Sequence, residues 1–132
     1  MIDHVSIGVR DLELAVGFYA TVLGVLGMSK IAEREGTVGF GKTYPEIWLN
    51  SRPDKRVSAK DDGTHICFRA SSVEVVDAFY QQAIELGATT SGEPGYREEY
   101  RSPSYRNEKH TDYYAAFVRD RDQNHIEVVT FV

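Results

Sequence analysis

The chain contains an internal repeat, and this feature constrains its fold more than any other. An offset of 61 residues carries the segment 14–19 onto 75–80, each ending in Phe-Tyr, and carries His4 onto His65. Each histidine lies upstream of the matched segment, in a short stretch typical of a β-strand. A repeat of this length indicates two copies of one supersecondary unit, neither of which buries its apolar face alone. We therefore predict two related modules, each contributing one histidine to a shared site.

Apolar periodicity predicts the same order of elements in both repeats, namely a strand, a helix and three further strands. Alternating apolar residues indicate the strands, and Asp11 and Gly27 are typical of the start and end of the first helix. In the first repeat we predict a strand at 2–10, a helix from Asp11 to about Leu26 and strands near 28–34, 37–42 and 45–50. In the second we predict a strand at 64–70, a helix from Ser71 or Ser72 to Leu86 and strands near 88–92, 112–119 and 124–131.

These elements predict one domain of the α+β class that spans residues 1–132. The first βαβββ module occupies 1–50, the charge-rich segment 51–63 is a linker, and the second module occupies 64–132. We expect the modules to form a cupped mixed sheet with the helices on its outer face. The segment 94–111 interrupts the second module, because it is rich in Tyr and Arg and lacks a strand period. A functional lid and a solvated surface loop both fit it.

Composition and charge disfavour several classes of partner. A net charge of −5 disfavours nucleic acid or an anionic membrane, since both need a basic face on the protein. No apolar run approaches the roughly 20 residues of a membrane-spanning helix. The start of the chain has neither a basic leader nor a signal core, and the lone cysteine, Cys67, cannot form an internal disulfide. We therefore expect a cytoplasmic protein whose partner is a small-molecule substrate.

Strand alternation predicts which side chains share the concave face of the sheet. In the first strand of each repeat the apolar positions pack under the helix, which leaves the histidine on the other face. The predicted concave-face residues are His4, Ser6, Gly8, Arg10, Trp48, His65, Cys67, Arg69 and Glu127. A carboxylate among apolar neighbours is costly to desolvate unless it is paired or binds a cation. His4, His65 and Glu127 together provide the donors of a 2-His-1-carboxylate metal site.

The chain resembles the vicinal oxygen chelate superfamily over essentially its whole length. The resemblance rests on the paired strand-helix-three-strand units, on Asp3-His4-Val5, on Gly17-Phe18-Tyr19 and on the segment 117–127. This superfamily includes glyoxalase I, extradiol dioxygenases, fosfomycin-resistance proteins, methylmalonyl-CoA epimerase and bleomycin-resistance proteins. The resemblance implies a βαβββ unit used twice around a divalent metal, whose ligands come from the first and last strands of each unit.

Carried over residue by residue, the resemblance implies that His4, His65 and Glu127 are three of the four metal ligands. The fourth position, a Glu in glyoxalase I and a Gln in the epimerase, is Trp48 here, which cannot ligate a metal. The ligand set is therefore more similar to that of extradiol dioxygenases and fosfomycin-resistance enzymes. Glu46 lies two residues before Trp48 on the same face of the strand. It can take the place of the fourth ligand only if the pairing register of that strand shifts by two residues. The identity of the divalent metal stays open among Zn, Fe, Mn and Ni.

Three functions fit these residues. The first is a metal-dependent isomerase, lyase or dioxygenase that chelates two adjacent oxygens of a small substrate. His110 or Tyr114 would give acid–base or hydrogen-bonding help, with Tyr114 on the concave side because Phe117 is expected under the helix. The second is a metal-free binding protein similar to the bleomycin-resistance proteins, with Trp48 as a stacking wall. The third is a structural or interaction module whose cup is vestigial.

The concave face also supplies the candidates for contact with the substrate. These candidate substrate-binding residues are Arg10, Glu46, Trp48 and Cys67. Members of the superfamily build the cup within one chain or across a homodimer, and both arrangements stay open for this chain.

Overall fold

The computed structural model of the chain describes residues 1–101 and 112–132. In the first repeat the elements are β1 (Val5–Val9), α1 (Leu12–Val25), β2 (Ser29–Arg34), β3 (Thr37–Gly41) and β4 (Ile47–Ser51). In the second they are β5 (Ile66–Arg69), α2 (Val73–Glu85), β6 (Thr89–Tyr96), β7 (Tyr113–Arg119) and β8 (His125–Phe131), with a short 3-10 turn at Glu98–Tyr100 after β6. The predicted order of strand, helix and three strands is therefore confirmed in both repeats.

Each repeat forms its own four-stranded mixed sheet. The strand orders are β1-β4-β3-β2 and β5-β8-β7-β6, so the same topology occurs twice. In both sheets the first and last strands of the repeat run parallel, and the other neighbouring pairs are antiparallel. The predicted α+β class with two βαβββ modules is confirmed.

The backbone divides into two compact units, and each unit is built from two separate segments of the chain. The first unit contains Met1–Lys60 and also Asp122–Asn124, whereas the second contains Asp61–Arg121 and His125–Val132. The last three residues of the turn between β7 and β8 therefore belong to the first unit. Asn124 Nδ2 and Lys55 Nζ both donate to the carbonyl oxygen of Gly8, at 3.0 and 2.9 Å, which attaches this turn to β1.

Both helices begin and end in the same way. The carboxylate of Asp11 accepts a hydrogen bond from the Leu14 N–H at 3.1 Å, and the hydroxyl of Ser72 accepts one from the Val75 N–H at 3.3 Å. Side-chain oxygens at these positions satisfy backbone donors that have no partner within the helix. Gly27 and Gly87 follow the two helices with φ of 80° and 96°, a left-handed conformation that glycine adopts without a steric penalty.

The helices bury different members of the repeated Phe-Tyr pair. Both pairs occupy the same distance from the helix start, yet Tyr19 is buried in α1 and Phe79 is buried in α2. Phe18 and Tyr80 are half-buried. The buried stripe of α1 is Ala15, Tyr19, Val22 and Leu23, and that of α2 is Val76, Phe79 and Ala83. The repeat thus preserves the helix position but not the side chain that fills the core.

The prediction that the segment 94–111 lacks a strand is wrong at the start of the segment, where β6 extends into it. β6 continues through Pro94 to Tyr96, with irregular pairing to β7 between Gly92 and Gly95. Because β6 is the edge strand of its sheet, a proline without an N–H can be accommodated there. The remainder of the expected lid, 102–111, lies outside the described residues. No helix among the described residues is long and apolar enough to cross a membrane.

Substituting Gly41→Ala should destabilise the first unit. A Cβ at this position would lie 1.8 Å from the carbonyl oxygen of Tyr44, so the turn between β3 and β4 must shift. We expect a loss of about 1–3 kcal/mol in the free energy of unfolding, as for other overpacked sites. The control is Gly17→Ala in α1, where a Cβ meets nothing within 4 Å; it should stabilise by about 0.5–1 kcal/mol. Urea unfolding curves of both variants measure this, and equal midpoints would contradict it.

Candidate functional site

The carboxylate of Glu127 lies at the centre of the face of the second sheet that is opposite α2. Its neighbours along β8, Ile126 and Val128, are buried on the α2 side, as strand alternation predicts. The strand pairings place Cys67 of β5 and Phe117 of β7 directly beside it. The Glu127 side chain is only 4% exposed, so its charge requires partners within the protein.

His65 is one of these partners. It directly precedes β5, and its Nε2 lies 3.1 Å from Oε2 of Glu127. The histidine side chain is 43% exposed, so the pair joins a buried carboxylate to a ring that solvent reaches. The structure therefore brings together two of the three residues that the sequence predicted as metal ligands.

Tyr113 is the second partner of Glu127 and was not identified from the sequence. Its hydroxyl donates a hydrogen bond to Oε1 of Glu127. Burial, followed by this hydrogen bond, raises the pKa of the Tyr113 hydroxyl far above its ordinary value. The Cys67 thiol lies close enough to raise that pKa further. The phenol is therefore a stable neutral donor at any ordinary pH.

Tyr114, which was predicted on the concave side, instead lies on the helix side of its sheet. Its hydroxyl donates to Oδ1 of Asp77 in α2 at 2.8 Å. Desolvation, followed by the hydrogen bond to Asp77, raises the pKa of Tyr114 to about 12. The predicted facing is wrong because Phe117 was expected under the helix, whereas Ala116 and Val118 fill that core. Phe117 lies beside Glu127.

A second histidine, His125, also lies on the face of Glu127 and was not proposed from the sequence. Its ring centroid lies 5.9 Å from those of both His65 and Phe117. Its Nε2 is 2.8 Å from the hydroxyl oxygen of Ser91. Burial, followed by the positive charge of Arg119, lowers the pKa of His125 below its ordinary value. The neutral imidazole is therefore favoured at this position.

Aromatic rings and arginines surround the Glu127 pair. The Tyr113 ring packs edge-on against Phe131 at 5.2 Å and lies 5.4 Å from the ring of Tyr100. The guanidinium of Arg69 lies 4.3 Å from the Phe131 ring centroid, and that of Arg97 lies 5.7 Å from the Phe117 ring centroid. Such stacking stabilises a cation while leaving its N–H groups at the ring edge.

Trp48 occupies in the first sheet the register position that Glu127 occupies in the second. It pairs with Ser6 of β1, and Glu127 pairs with Cys67, the residue to which the repeat offset carries Ser6. The indole is half-buried, and the Arg34 guanidinium lies 4.8 Å from its ring centroid. A Cβ at Gly39 would meet the Trp48 ring at 3.0 Å, so the glycine makes room for the indole.

His4 and Glu46 lie just before β1 and β4, in the first unit. Nδ1 of His4 is 2.6 Å from Oδ2 of Asp3, and the His4 side chain is exposed. Oε2 of Glu46 accepts a hydrogen bond from the Lys42 N–H at 3.1 Å and so closes the turn after β3. The register places Trp48 opposite Ser6, without the shift of two residues that a ligand role for Glu46 requires.

Arg10, a predicted substrate-binding residue, is held by a buried carboxylate. Its backbone N–H and its Nε–H both donate to Oδ1 of Asp122, at 3.0 and 2.8 Å. Asp122 belongs to the first unit, as Arg10 does. The predicted acid–base residue His110 lies outside the described residues.

The pair His65–Glu127 fits two positions of a divalent metal site. Two donor atoms that are each about 2.1 Å from a tetrahedral ion lie about 3.4 Å apart, close to the observed 3.1 Å between Nε2 and Oε2. Among residues 1–101 and 112–132, no group of three or more His, Cys, Asp or Glu side chains forms a metal cluster. His4 belongs to the other unit.

Comparison with known proteins identifies relatives of this chain. The family model of the Glyoxalase/Bleomycin resistance protein/Dioxygenase superfamily matches residues 1–128. Among curated proteins, none matches the chain. Among solved structures, a glyoxalase/bleomycin resistance protein from Albidiferax ferrireducens is 29% identical, with a TM-score of 0.75, and the match covers 96% of this chain and 95% of that one.

Two further solved structures share the fold at lower identity. A glyoxalase/bleomycin resistance protein/dioxygenase family enzyme from Burkholderia phytofirmans is 20% identical, with a TM-score of 0.73 and coverage of 99% and 98% of the two chains. A mutant of the fosfomycin resistance protein FosX from Listeria monocytogenes, complexed with Mn(II) and 1S,2S-dihydroxypropylphosphonic acid, is 17% identical. Its TM-score is 0.62, and the match covers 100% of this chain and 90% of that one.

Substituting Asp122→Ala should destabilise the protein, because it leaves the backbone and side-chain donors of Arg10 without their buried acceptor. We expect a loss of about 1–3 kcal/mol in the free energy of unfolding. The control is Asp3→Ala, which removes an exposed carboxylate and should change stability by less than about 1 kcal/mol. Chemical denaturation of both variants decides the comparison. If Asp122→Ala were as stable as the control, Arg10 would not depend on Asp122.

Proposed function

Since the chain belongs to the Glyoxalase/Bleomycin resistance protein/Dioxygenase superfamily, we propose that it is an enzyme that uses a divalent metal to act on a small substrate with two adjacent oxygen atoms. The observation that carries this proposal is the buried Glu127 carboxylate with His65 Nε2 at 3.1 Å from it. A buried carboxylate beside an imidazole is a donor pair that divalent transition metals bind.

The proposed ligands are His65, Glu127 and His4. His65 and Glu127 are supported by their contact, and His4 by the repeat, because the offset that relates the two units carries it onto His65. Two imidazoles and one carboxylate leave open positions for water and substrate. The Listeria FosX structure contains Mn(II) together with a dihydroxy compound. For this chain we keep Zn, Fe, Mn and Ni as alternatives.

The metal, when bound, would act as a Lewis acid and hold the two substrate oxygens in a fixed orientation. The chain's own residues would do the rest. Phe117 and Tyr113 lie beside Glu127 and limit its contact with water. Cys67 is exposed beside Glu127 and is proposed to contact the substrate. His110 stays the proposed acid–base residue, whereas the hydroxyl of Tyr114 is engaged with Asp77 on the other side of the sheet.

Metal binding by variants tests this proposal. Protein purified without a His-tag and treated with a chelator should bind one divalent ion per chain, measured by calorimetry and elemental analysis. His4→Ala, His65→Ala and Glu127→Gln should each weaken binding at least 10-fold, since each removes a ligand or its charge. The matched control is His125→Asn, which removes a nearby imidazole that is not a proposed ligand and should leave the affinity unchanged.

One outcome would contradict the proposed function, and another would correct only its set of ligands. The absence of stoichiometric binding of Zn, Fe, Mn or Ni would exclude the metal-dependent function. Full retention of affinity in His4→Ala would exclude His4 alone and leave the site to His65 and Glu127.

One observation favours a second candidate function, a metal-free protein that binds a small molecule. Glu127 already contacts Tyr113 with one oxygen and His65 with the other. A buried carboxylate with partners on both oxygens is stable without a cation. In this case the aromatic side chains around Glu127 and the half-buried Trp48 would form the binding surfaces.

The fluorescence of Trp48, which is the only tryptophan, tests this second candidate. Adding planar aromatic compounds, such as catechols and benzoates, to chelator-treated protein should quench or shift the emission if the indole contacts the ligand. The same titration followed by calorimetry detects binding that does not involve Trp48. Binding that appears only after a metal is added would favour the metal-dependent enzyme, and heat of binding without any change in emission would exclude Trp48 as a contact.

A further inference from the structure

We propose that Tyr113 is the positioning residue of the site, because its hydroxyl holds Oε1 of Glu127 and thereby directs Oε2 alone towards His65. The orientation of the carboxylate is a property of the protein itself. Its consequence for metal binding rests on the proposed function, in which Glu127 is a ligand. Neither the repeat nor the comparisons assign any role to Tyr113.

The two oxygens of Glu127 have different environments, and this difference is the basis of the proposal. Oε1 accepts from the Tyr113 hydroxyl, and Oε2 lies 3.1 Å from His65 Nε2. The terminal torsion of a glutamate side chain is broad, so an unrestrained carboxylate rotates about it and does not keep one oxygen aimed at His65. A donor on one oxygen removes this freedom. Since the Glu127 side chain is only 4% exposed, bulk water has little access to replace that donor.

The Tyr113 hydroxyl can serve this purpose because its ring is itself held in place. The ring packs edge-on against Phe131, its direct cross-strand neighbour, and against Tyr100. The backbone carbonyl of Tyr113 accepts a hydrogen bond from the Arg97 N–H at 2.8 Å, which fixes the start of β7. Rigid support of a ligand by its neighbours is what a precise site requires.

The arrangement has a chemical consequence for the carboxylate. With Oε1 committed to Tyr113, only Oε2 is available to a cation beside His65, so Glu127 would bind through one oxygen. A one-oxygen ligand occupies one coordination position rather than two, which leaves another position for a substrate oxygen. Partners of this kind commonly change metal affinity 10- to 100-fold when they are removed.

The neighbouring tyrosine provides a matched control for the test. Tyr113→Phe and Tyr114→Phe each remove one hydroxyl that donates to a carboxylate, Glu127 in the first case and Asp77 in the second. The two residues are adjacent in β7 and lie on opposite faces of the sheet. A general loss of stability would affect both variants, whereas a change at His65 should follow Tyr113→Phe only.

The first experiment uses the metal-free protein and reads the His65 ring by nitrogen-15 NMR. A carboxylate oxygen can only accept, so the contact with Oε2 favours the ring hydrogen on Nε2. At a pH above the histidine titration range, we expect the Nε2–H tautomer in the wild type and in Tyr114→Phe. In Tyr113→Phe the signal should move towards a mixture of tautomers. His65→Ala assigns the resonance.

A second variant keeps the proposal falsifiable if Tyr113→Phe does not fold. In Glu127→Gln, the Tyr113 hydroxyl should hold the amide oxygen, so that the amide N–H faces His65. Nε2 of His65 must then accept, and its hydrogen should move to Nδ1. An unchanged Nε2–H tautomer in Glu127→Gln or in folded Tyr113→Phe would overturn the proposal.

The second experiment measures metal affinity and separates this proposal from the proposed function. Titration with Mn(II) or Zn(II) should give a 10- to 100-fold weaker affinity in Tyr113→Phe than in the wild type, and no change in Tyr114→Phe. If the wild type binds neither ion, the metal-dependent function fails, while the His65 spectra still decide the role of Tyr113. If the wild type binds and Tyr113→Phe binds equally well, the positioning role fails and the metal-dependent function stands.

Discussion

The burial of one carboxylate is the constraint on which the second half of this molecule depends. Glu127 lies within a strand whose adjacent residues are apolar and buried. Removing an ionised carboxylate from water costs several kcal/mol unless other polar groups compensate. Tyr113 of β7 and His65, which directly precedes β5, provide that compensation from either side of β8. The face of the sheet opposite α2 is therefore arranged around a charge that a purely apolar core would avoid.

The two repeats keep the same topology and differ in what they place at equivalent positions. The register that sets Glu127 beside Cys67 sets Trp48 beside Ser6. In one sheet the position holds a hydrogen-bonded carboxylate, and in the other it holds an indole under an arginine. Gly39 accompanies this change, because any larger residue would contact the indole ring. The equivalent positions of the two sheets thus hold a carboxylate in one and an aromatic ring in the other, while the strand pairing is the same.

The sequence predicted the elements well because helix caps and apolar periodicity are local signals. Asp11 and Ser72 cap their helices as expected, and the facing of Glu127 follows from Ile126 and Val128. The facing of β7 was wrong because Ala116, Phe117 and Val118 are consecutive apolar residues, and periodicity does not identify which of them enter the core. Only the pairing with β8 decides this. The same ambiguity prevented the sequence from identifying Tyr113 as a partner of Glu127. Alternation in β8 from Glu127 back to His125 would have indicated the second histidine.

The turn between β7 and β8 has a consequence for how such a molecule can be divided. Asp122 and Asn124 are hydrogen-bonded to Arg10 and Gly8, so the first unit is completed by residues encoded near the end of the chain. A fragment that ends at Lys60 would leave the backbone donor of Arg10 without this acceptor. A fragment that begins at Asp61 would carry the turn without the groups it binds. The first unit is therefore built from residues near both ends of the chain, and its last part is synthesised only after residues 61–121 of the second unit.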